Sequence, residues 1–246
     1  MLKAKDKIRG AVFLILLWSG LHFIIPLIIP SPLSVTKVFI SALASGDLLL
    51  HTGHSTLRIL GGIFFAVLIG YPAGLVAGLS SRVNRAFSSV VYYLHPIPKI
   101  AFLPVFMVAF GLGDGSKMTL IFSILVFQIF LFIRDGVKEI DPAYFKVAKT
   151  MHFSAFKTFL KLIFPSTLPR LFSALRISMG ISISVLFFAE NYATTYGIGY
   201  YIMNSWSMVN YENMFAGILA IAILGMVLYG SIDWLERRLC RWLFLE

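Results

Sequence analysis

The sequence contains little charge and one cysteine, and these absences exclude several classes of protein. Charged residues make up 13% of the 246 residues, whereas hydrophobic residues make up 59% and the mean hydropathy is +0.87. This composition is more apolar than the usual range for soluble domains. Cys240, the single cysteine, cannot form an intrachain disulfide or a CxxC motif. The bilayer is therefore the expected solvent for most of the chain.

Motifs for nucleotide binding and hydrolysis are also missing. The stretch GLGDGSKMT has Gly111 and Lys117 at P-loop spacing, but Ser116 and Met118 stand where the loop needs Gly and Ser or Thr. Neither an HExxH zinc motif nor a GxSxG nucleophile elbow occurs. We therefore predict no catalytic residue and no nucleotide site on this chain.

One group of candidate metal ligands occurs. Asp47, His51 and His54 are spaced to share one face of a helix, as metal ligands do. Gly53 weakens that helix, and a solvated polar face is the favoured interpretation. We predict no metal site and no bound cofactor, and an intramembrane enzyme lacks a convincing nucleophile or metal set.

Apolar runs of helix-spanning length dominate the sequence. They are near-continuous rather than alternating, which favours helices over the strands of a membrane barrel. The N-terminal run follows a basic start, but it is too long for a signal peptide and lacks a small-residue cleavage site. We predict an all-α polytopic bundle of about six transmembrane helices, at about 11–29, 57–79, 87–110, 117–134, 164–189 and 214–235.

The positions of the 21 Lys and Arg residues predict the orientation. With the N-terminus inside, fifteen lie in cytoplasmic segments, while Lys37, Arg58 and Lys117 lie outside, so both termini are expected in the cytoplasm. Clustering between apolar runs also argues against nucleic-acid binding. Two connections are long: 30–56, expected to be external with a short amphipathic helix, and 135–163, expected to be cytoplasmic.

Small residues and rare charges mark candidate positions within the spans. Gly70, Gly74 and Gly78 recur every four residues, which lets another helix approach closely, inside the bundle or, less favoured, in a dimer. Glu190 ends the fifth span and either reaches the headgroups or shapes an external gate. Arg176 lies deeper in that span and is a second pathway candidate.

The connection 135–163 contains the stretch DPAYFKVAKTMHFSAFKTFLKLIFPSTLP. Its spacing resembles the cytoplasmic signature of binding-protein-dependent ABC importer permeases: Glu-Ala-Ala, three residues, Gly, nine residues, an aliphatic residue, any residue and Leu-Pro. Two identities depart from that signature, because a lysine replaces the Glu and a histidine replaces the Gly. The corresponding positions here are Lys146, Val147, Ala148, His152, Leu162, Phe164 and Pro165.

Other segments resemble the nitrate, sulfonate and taurine branch of that family. They are SPLSVTKVFISAL, HPIPKIAFLPVFMVAFGLG, FFAENYATTYGIGYYI and FAGILAIAILGMVLYGSIDWLERRLCRW. The resemblance implies one permease domain over 1–246: an extra N-terminal helix and external segment in 1–56, and a five-helix core in 57–246 that includes the coupling segment 135–163. It also implies a multi-pass protein of the cell inner membrane.

The resemblance further implies an assembly in which two permease copies pair within the lipid. Two ATPase subunits bind ATP and Mg²⁺ on the cytoplasmic side, and an external binding protein delivers a small anionic or polar nutrient such as nitrate, a sulfonate or taurine. The implied ATPase-coupling residues are Tyr144, Lys146, Val147, Ala148, Lys149, Met151 and His152. Helical spacing alone places Tyr144, Val147, Ala148 and Met151 on one apolar stripe, which a helix lying on the bilayer surface would also show.

Two interpretations of function therefore remain open. The favoured one is a permease that imports its solute by alternating access, driven by separate ATPase subunits. The alternative is a self-sufficient secondary transporter or channel. That protein would couple ions through membrane-embedded charges, for which Glu190, Lys99 and Arg176 are the available residues.

Overall fold

The computed structural model describes residues 4–94 and 96–244, and within that part every regular element is a helix. The predicted all-α class is confirmed. Short 3₁₀ turns cover Lys99–Phe102 and Arg241–Leu243, and a π-helical turn covers Phe159–Ile163. The α-helices are α1 (Ala4–Ile24), α2 (Pro32–Ala44), α3 (Asp47–Leu79), α4 (Ser81–Leu94), α5 (Leu103–Phe110), α6 (Asp114–Lys138), α7 (Pro142–Thr150), α8 (Ala155–Thr158), α9 (Phe164–Glu190), α10 (Ile198–Ser207) and α11 (Tyr211–Leu239).

Four helical stretches are long and apolar enough to cross a bilayer. They are Asp47–Leu79, Asp114–Lys138, Ala155–Glu190 and Tyr211–Leu239, and a fifth span results if α4 and Lys99–Phe110 are counted as one broken span. The polytopic bundle is thus confirmed, with four or five candidate spans in the described residues where about six were predicted.

The first predicted span, 11–29, is shorter than expected. Helix α1 ends at Ile24, and its described apolar stretch Arg9–Ile24 is below the length of a full span. Proline disfavours helical geometry in the residue before it, and here that residue is Ile25, which follows the helix end and precedes Pro26. The chain then folds back, because the Trp18 indole N–H donates to the Pro30 carbonyl at 3.1 Å.

The third predicted span, 87–110, is broken rather than continuous. Helix α4 ends at Leu94, the 3₁₀ turn begins at Lys99, and the two helical parts are bent by 81°. Pro96 and Pro98 lack backbone N–H groups and restrict the residues before them, so an unbroken helix cannot form here. A window of mean hydropathy does not register this interruption.

The chain divides into two compact units. Unit 1 comprises the described part of Met1–Ser55 with Glu190–Leu224, and unit 2 comprises Thr56–Ala189 with the described part of Gly225–Glu246. In unit 1, α2 forms the short helix predicted in 30–56, with Ser31 capping its first turn at 3.1 Å and Pro32 at its first position. The remainder of that predicted external connection begins α3, which Gly53 does not interrupt.

Within unit 2, a stripe of glycines brings α3 close to α6. A Cβ atom added to Gly70 would lie 2.9 Å from the Val126 carbonyl oxygen, and one added to Gly74 would lie 2.7 Å from the Phe130 carbonyl oxygen. At Gly78 it would lie 2.5 Å from the Cβ of Val137. Backbone and branched side chains of α6 therefore occupy the space that larger residues on α3 would need.

We expect Gly74→Ala to destabilise the protein by about 1–3 kcal/mol, because the added methyl group meets a backbone carbonyl that cannot rotate away. Gly53→Ala is the matched control on the same helix, since nothing lies within 4 Å of a Cβ there. That change should gain about 0.5–1 kcal/mol from helix propensity. Thermal unfolding in detergent measures both. Equal effects of the two substitutions would contradict the close contact of α3 with α6.

Candidate functional site

The predicted coupling segment forms α7, whose two ends are closed by hydrogen bonds. Asp141 caps its start, accepting from the Ala143 N–H at 2.8 Å, and Pro142 occupies the first helical position. At the other end, the N–H of Phe153 donates to the Ala148 carbonyl and that of His152 donates to the Lys149 carbonyl, both at 3.0 Å. This pair of bonds is a Schellman motif, which ends a helix with a residue in the left-handed conformation.

His152 is that left-handed residue, with φ of 53°. It stands where the family signature has glycine, the residue that adopts this conformation most readily. A non-glycine residue in this conformation carries about 1–2 kcal/mol of strain. The structure therefore shows a left-handed helix end formed by a histidine.

Helix α7 has an inner and an outer apolar face. The inner face packs on the chain itself: Phe145 contacts the cluster of Val137, Ile140 and Ile163, and Ala148 is 6% exposed. The outer face consists of Tyr144, Val147 and Met151, which are 61%, 55% and 60% exposed. We call these three residues the outer stripe.

The structure thus divides the seven predicted coupling residues into six that are exposed and one, Ala148, that is buried. The outer stripe is accessible, and Lys146, Lys149 and His152 are exposed beside it. Ala148 lies on the inner face, where a substitution would disturb the packing of α7 before it affected any partner.

Glu190 forms a buried network within unit 1. Its side chain is 1% exposed, and its carboxylate accepts from the Ser55 hydroxyl at 2.8 and 3.0 Å and from the Gly199 N–H at 2.8 Å. The Ser55 hydroxyl in turn accepts from the Ile198 N–H at 2.8 Å. A carboxylate near the N-terminus of a helix is stabilised by the helix dipole, and the Glu190 carboxylate lies at the N-terminus of α10. Glu190 is therefore enclosed by protein rather than extended to the headgroups.

Gly197 allows this network to close. Its φ is 144°, and a Cβ added there would lie 2.4 Å from the Glu190 carboxyl carbon. His51 holds the same residue, since the Gly197 N–H donates to Nδ1 at 3.0 Å. We call Ser55, Glu190, Gly197 and His51 the Glu190 latch.

The predicted polar face of Asp47, His51 and His54 is thus only partly solvated. His51 is 6% exposed, and its Nε2 lies 3.6 Å from the Asp47 carboxylate.

Burial and the Asp47 carboxylate raise the pKa of the neighbouring Tyr201 hydroxyl, which donates to Asn213 at 3.0 Å. Among residues 4–94 and 96–244, no group of three His, Cys, Asp or Glu side chains is placed to hold a metal ion.

Arg176 is held by carboxylates of unit 2. It donates from α9 to Asp233 of α11 at 2.9 and 3.2 Å, and it also donates to Glu236. Two carboxylates surround one guanidinium, so this group links two helices through charge-assisted hydrogen bonds. The sequence identified the arginine as unusual but contained no sign of its partners, which lie 57 and 60 residues away.

Cys240 is fully buried, and burial with the nearby Glu236 carboxylate raises the pKa of its thiol to about 11. Thiolate is the reactive form, so at pH 8 roughly a hundredfold less of it is present than for a thiol of pKa 9. We expect an impermeant maleimide to modify Cys240 too slowly to detect at pH 8 from either side of the membrane, because so little thiolate is present. Rapid modification at pH 8 would contradict this burial.

Introduced cysteines can therefore report the predicted orientation without interference from Cys240. Met208→Cys, at a position 69% exposed, should react from outside intact cells, and Arg82→Cys, also at an exposed position, should react only after permeabilisation. The reverse pattern would place both termini outside. Lys117 cannot serve as a reporter position, because its side chain is fully buried and its amine donates to the Leu112 carbonyl at 2.7 Å.

Sequence comparison finds relatives over nearly the full length. The chain is 30% identical over 239 residues to the taurine transport system permease protein TauC of Escherichia coli, covering 94% of this chain and 87% of that protein. It is 28% identical over 188 residues to the bicarbonate transport system permease protein CmpB of Synechococcus elongatus, covering 76% of this chain and 68% of that protein. The names of these two relatives give different solutes, taurine and bicarbonate.

Structure and family comparisons agree with the sequence relatives. A chain from a solved structure of the MetNI methionine ABC transporter in inward-facing conformations matches with a TM-score of 0.65 at 17% identity, over 77% of this chain and 94% of that one, which shows a shared fold. The family model described as binding-protein-dependent transport system inner membrane component matches residues 66–241, so the chain belongs to that family and is a multi-pass inner-membrane permease of the ABC importer class.

Proposed function

We propose that this permease imports a small anionic or polar nutrient by alternating access, and that ATP binding and hydrolysis on separate ATPase subunits drive the cycle. ATP and Mg²⁺ would bind those subunits, and this chain would bind no cofactor. The taurine and bicarbonate permeases among its relatives support a small anionic or zwitterionic solute. An external binding protein would deliver that solute, and a second copy of this chain would complete the pathway.

The outer stripe is the observation that carries the proposal. Tyr144, Val147 and Met151 are more than half exposed on a capped, packed helix that lies outside every candidate span. An apolar stripe on a rigid element with one face already buried is suited to a groove on a partner protein. Lys146 and Lys149 flank it, so an acidic rim on the ATPase groove would complement this surface.

The Glu190 latch is a second element of the proposed cycle. It fixes residues 197–199 to α3 within unit 1, and we propose that it shapes the outer gate of the pathway.

We also propose that residues 57–246 form the permease core, which includes the coupling segment 135–163, and that residues 1–56 are an N-terminal addition to this core. Arg176, held by two carboxylates, is proposed to maintain helix packing along the pathway.

Copurification from the native membrane tests the proposal. The tagged chain should carry with it a protein with a P-loop motif, hydrolyse ATP, and support uptake into proteoliposomes only when ATP and the binding protein are supplied. A secondary transporter or channel would move its solute across proteoliposomes with no ATPase present. Uptake by the chain alone, driven by an ion gradient, would establish that alternative.

A further inference from the structure

The helical stretch Ala155–Glu190 is longer than a bilayer requires. Its 36 residues extend about 54 Å at about 1.5 Å per residue, and a tilt of about 40° would still leave a rise of about 41 Å. The hydrocarbon core of a bilayer is about 30 Å thick. Part of the stretch therefore lies outside the hydrocarbon. The end that begins at Ala155 is suited to that place, because it follows α7 and contains Lys157 and Lys161.

Four exposed residues form one face of this end. They recur as two pairs four residues apart, Phe156 with Lys157 and Leu160 with Lys161. Phe156 is 71% exposed and Leu160 is 44% exposed. A repeat of four drifts by about 40° around an α-helix, whereas the wider π-helical turn Phe159–Ile163 reduces that drift. We call these four residues the Phe156 face.

The opposite side of the same segment is packed on unit 2. Phe159 and Leu162 contact the cluster of Val137, Ile140 and Ile163. Rotating the segment to bury the Phe156 face would pull these side chains out of the cluster, which costs the free energy of their burial. The packing therefore fixes the Phe156 face in an outward orientation.

The two lysines give the Phe156 face a positive charge that no carboxylate balances. Within the described part of the chain, neither Lys157 nor Lys161 makes an ion pair, and Glu139 in the preceding connection pairs with Arg170. The Lys157 ammonium lies 4.3 Å from the centroid of the Phe153 ring, a cation–π contact that leaves room for an anion on its other side. The face thus combines exposed apolar side chains with unbalanced positive charge.

We propose that the Phe156 face binds anionic phospholipid at the bilayer surface. Phe156 and Leu160 enter the boundary between headgroups and acyl chains, and Lys157 and Lys161 bind the phosphate groups. Apolar side chains beside lysines on one helix face are typical of helices that lie on anionic membranes. Continuity with a candidate span favours lipid as the neighbour, because the chain that leaves a span must cross the headgroup layer.

This inference goes beyond the proposed importer function and does not rest on it. The predicted coupling segment 135–163 then has two different neighbours. The outer stripe of α7 faces an ATPase, and the Phe156 face, which follows it in the chain, faces the bilayer. Anionic lipid would thereby hold the start of α9 at the membrane surface next to the docking helix.

Thermal unfolding of the detergent-purified permease, with its bound subunits, tests the two lysines. Dioleoyl phosphatidylglycerol is the anionic probe and dioleoyl phosphatidylcholine is the neutral one. A lipid that binds the folded state raises the unfolding midpoint, so the anionic lipid should raise it at a lower concentration. Lys157→Gln combined with Lys161→Gln should require at least tenfold more phosphatidylglycerol for the same shift, because two cations at an anionic surface are lost.

Matched variants and a soluble anion make this result specific. Lys157→Arg with Lys161→Arg retains both charges and should respond as the unmodified protein does, and Lys37→Gln removes an exposed cation of unit 1 and should also respond normally. Glycerol phosphate should give no shift. An unchanged response of the double glutamine variant would overturn the proposal, and an equal shift with glycerol phosphate would overturn it in favour of a site for free phosphate.

A photo-reactive phenylalanine analogue at position 156 distinguishes lipid from a protein partner. Irradiation of native membranes should attach phospholipid to this position, identified by mass spectrometry, and should attach no ATPase. Capture of the ATPase at position 156, or the absence of any phospholipid adduct there, would overturn the proposal. Failure of the importer function would instead appear as a membrane preparation that contains no ATPase bound to the permease.

Discussion

Gly197→Ala is expected to abolish uptake and to lower the stability of the permease by at least about 2 kcal/mol. The added methyl group would lie 2.4–2.6 Å from the Glu190 carboxylate, and alanine is also strained at φ of 144°. Either the carboxylate or residues 197–199 must move, which breaks the hydrogen bonds that Glu190 accepts from Ser55 and Gly199. Uptake into proteoliposomes and thermal unfolding measure the two effects.

Gly46→Ala separates strain from collision in the same unit. Gly46 also has positive φ, 83°, but nothing lies within 4 Å of a Cβ there. We expect this control to lose about 1–2 kcal/mol and to retain uptake. If both glycine variants transport equally well, the close approach of residue 197 to Glu190 is not required.

Glu190→Gln tests whether the latch needs its charge. Glutamine keeps the shape and one acceptor oxygen, but it cannot accept from Ser55 and Gly199 as a carboxylate does. We expect the complex to assemble and uptake to fall at least tenfold. Wild-type uptake by Glu190→Gln would limit the latch to a structural role and remove it from the proposed outer gate.

Val147→Asp has the second large expected effect. A carboxylate at the centre of the outer stripe would be desolvated without a partner in an ATPase groove, a loss of several kcal/mol. Because Val147 is 55% exposed in the chain itself, the variant should insert and fold normally while the ATPase is lost on purification. The ratio of ATPase to permease after detergent extraction measures this.

Two comparisons make the result specific. Met208→Asp introduces the same charge at an apolar position outside α7 that is even more exposed than Val147, and it should retain the ATPase. Ala148→Asp lies on the buried face, so it should lower the unfolding temperature of the permease as well. Full ATPase retention by Val147→Asp would show that the outer stripe does not couple the subunits.

Helix type and approximate span positions could be predicted from the sequence because long apolar runs admit few alternatives in a bilayer. The boundaries failed where proline intervened: Pro26 limits α1, and Pro96 with Pro98 breaks the third predicted span. Both effects are local and were readable in principle. Hydropathy averages over such a break, whereas backbone sterics decide it.

The resemblance to the family signature placed the predicted coupling segment on α7, but it did not distinguish the two faces of that helix. Ala148 and Val147 are adjacent and both apolar, yet Ala148 is buried and Val147 is exposed. The cluster against which Phe145 of α7 packs includes Val137 and Ile163, which lie on either side of α7 in the sequence. Likewise, the sequence does not indicate that Ser55 belongs to the latch, because its hydrogen-bond partner Glu190 is 135 residues away. Contacts of this range depend on the packing of several helices, which one sequence does not display.

A photo-reactive phenylalanine analogue placed in α7 tests most directly whether this helix docks on an ATPase. At position 147, on the outer stripe, irradiation of native membranes should capture a protein that contains a P-loop motif, identified by mass spectrometry. At position 145, on the inner face, the same probe should yield no such adduct. Capture of lipid alone at position 147, or equal capture of the ATPase at both positions, would contradict docking through the outer stripe.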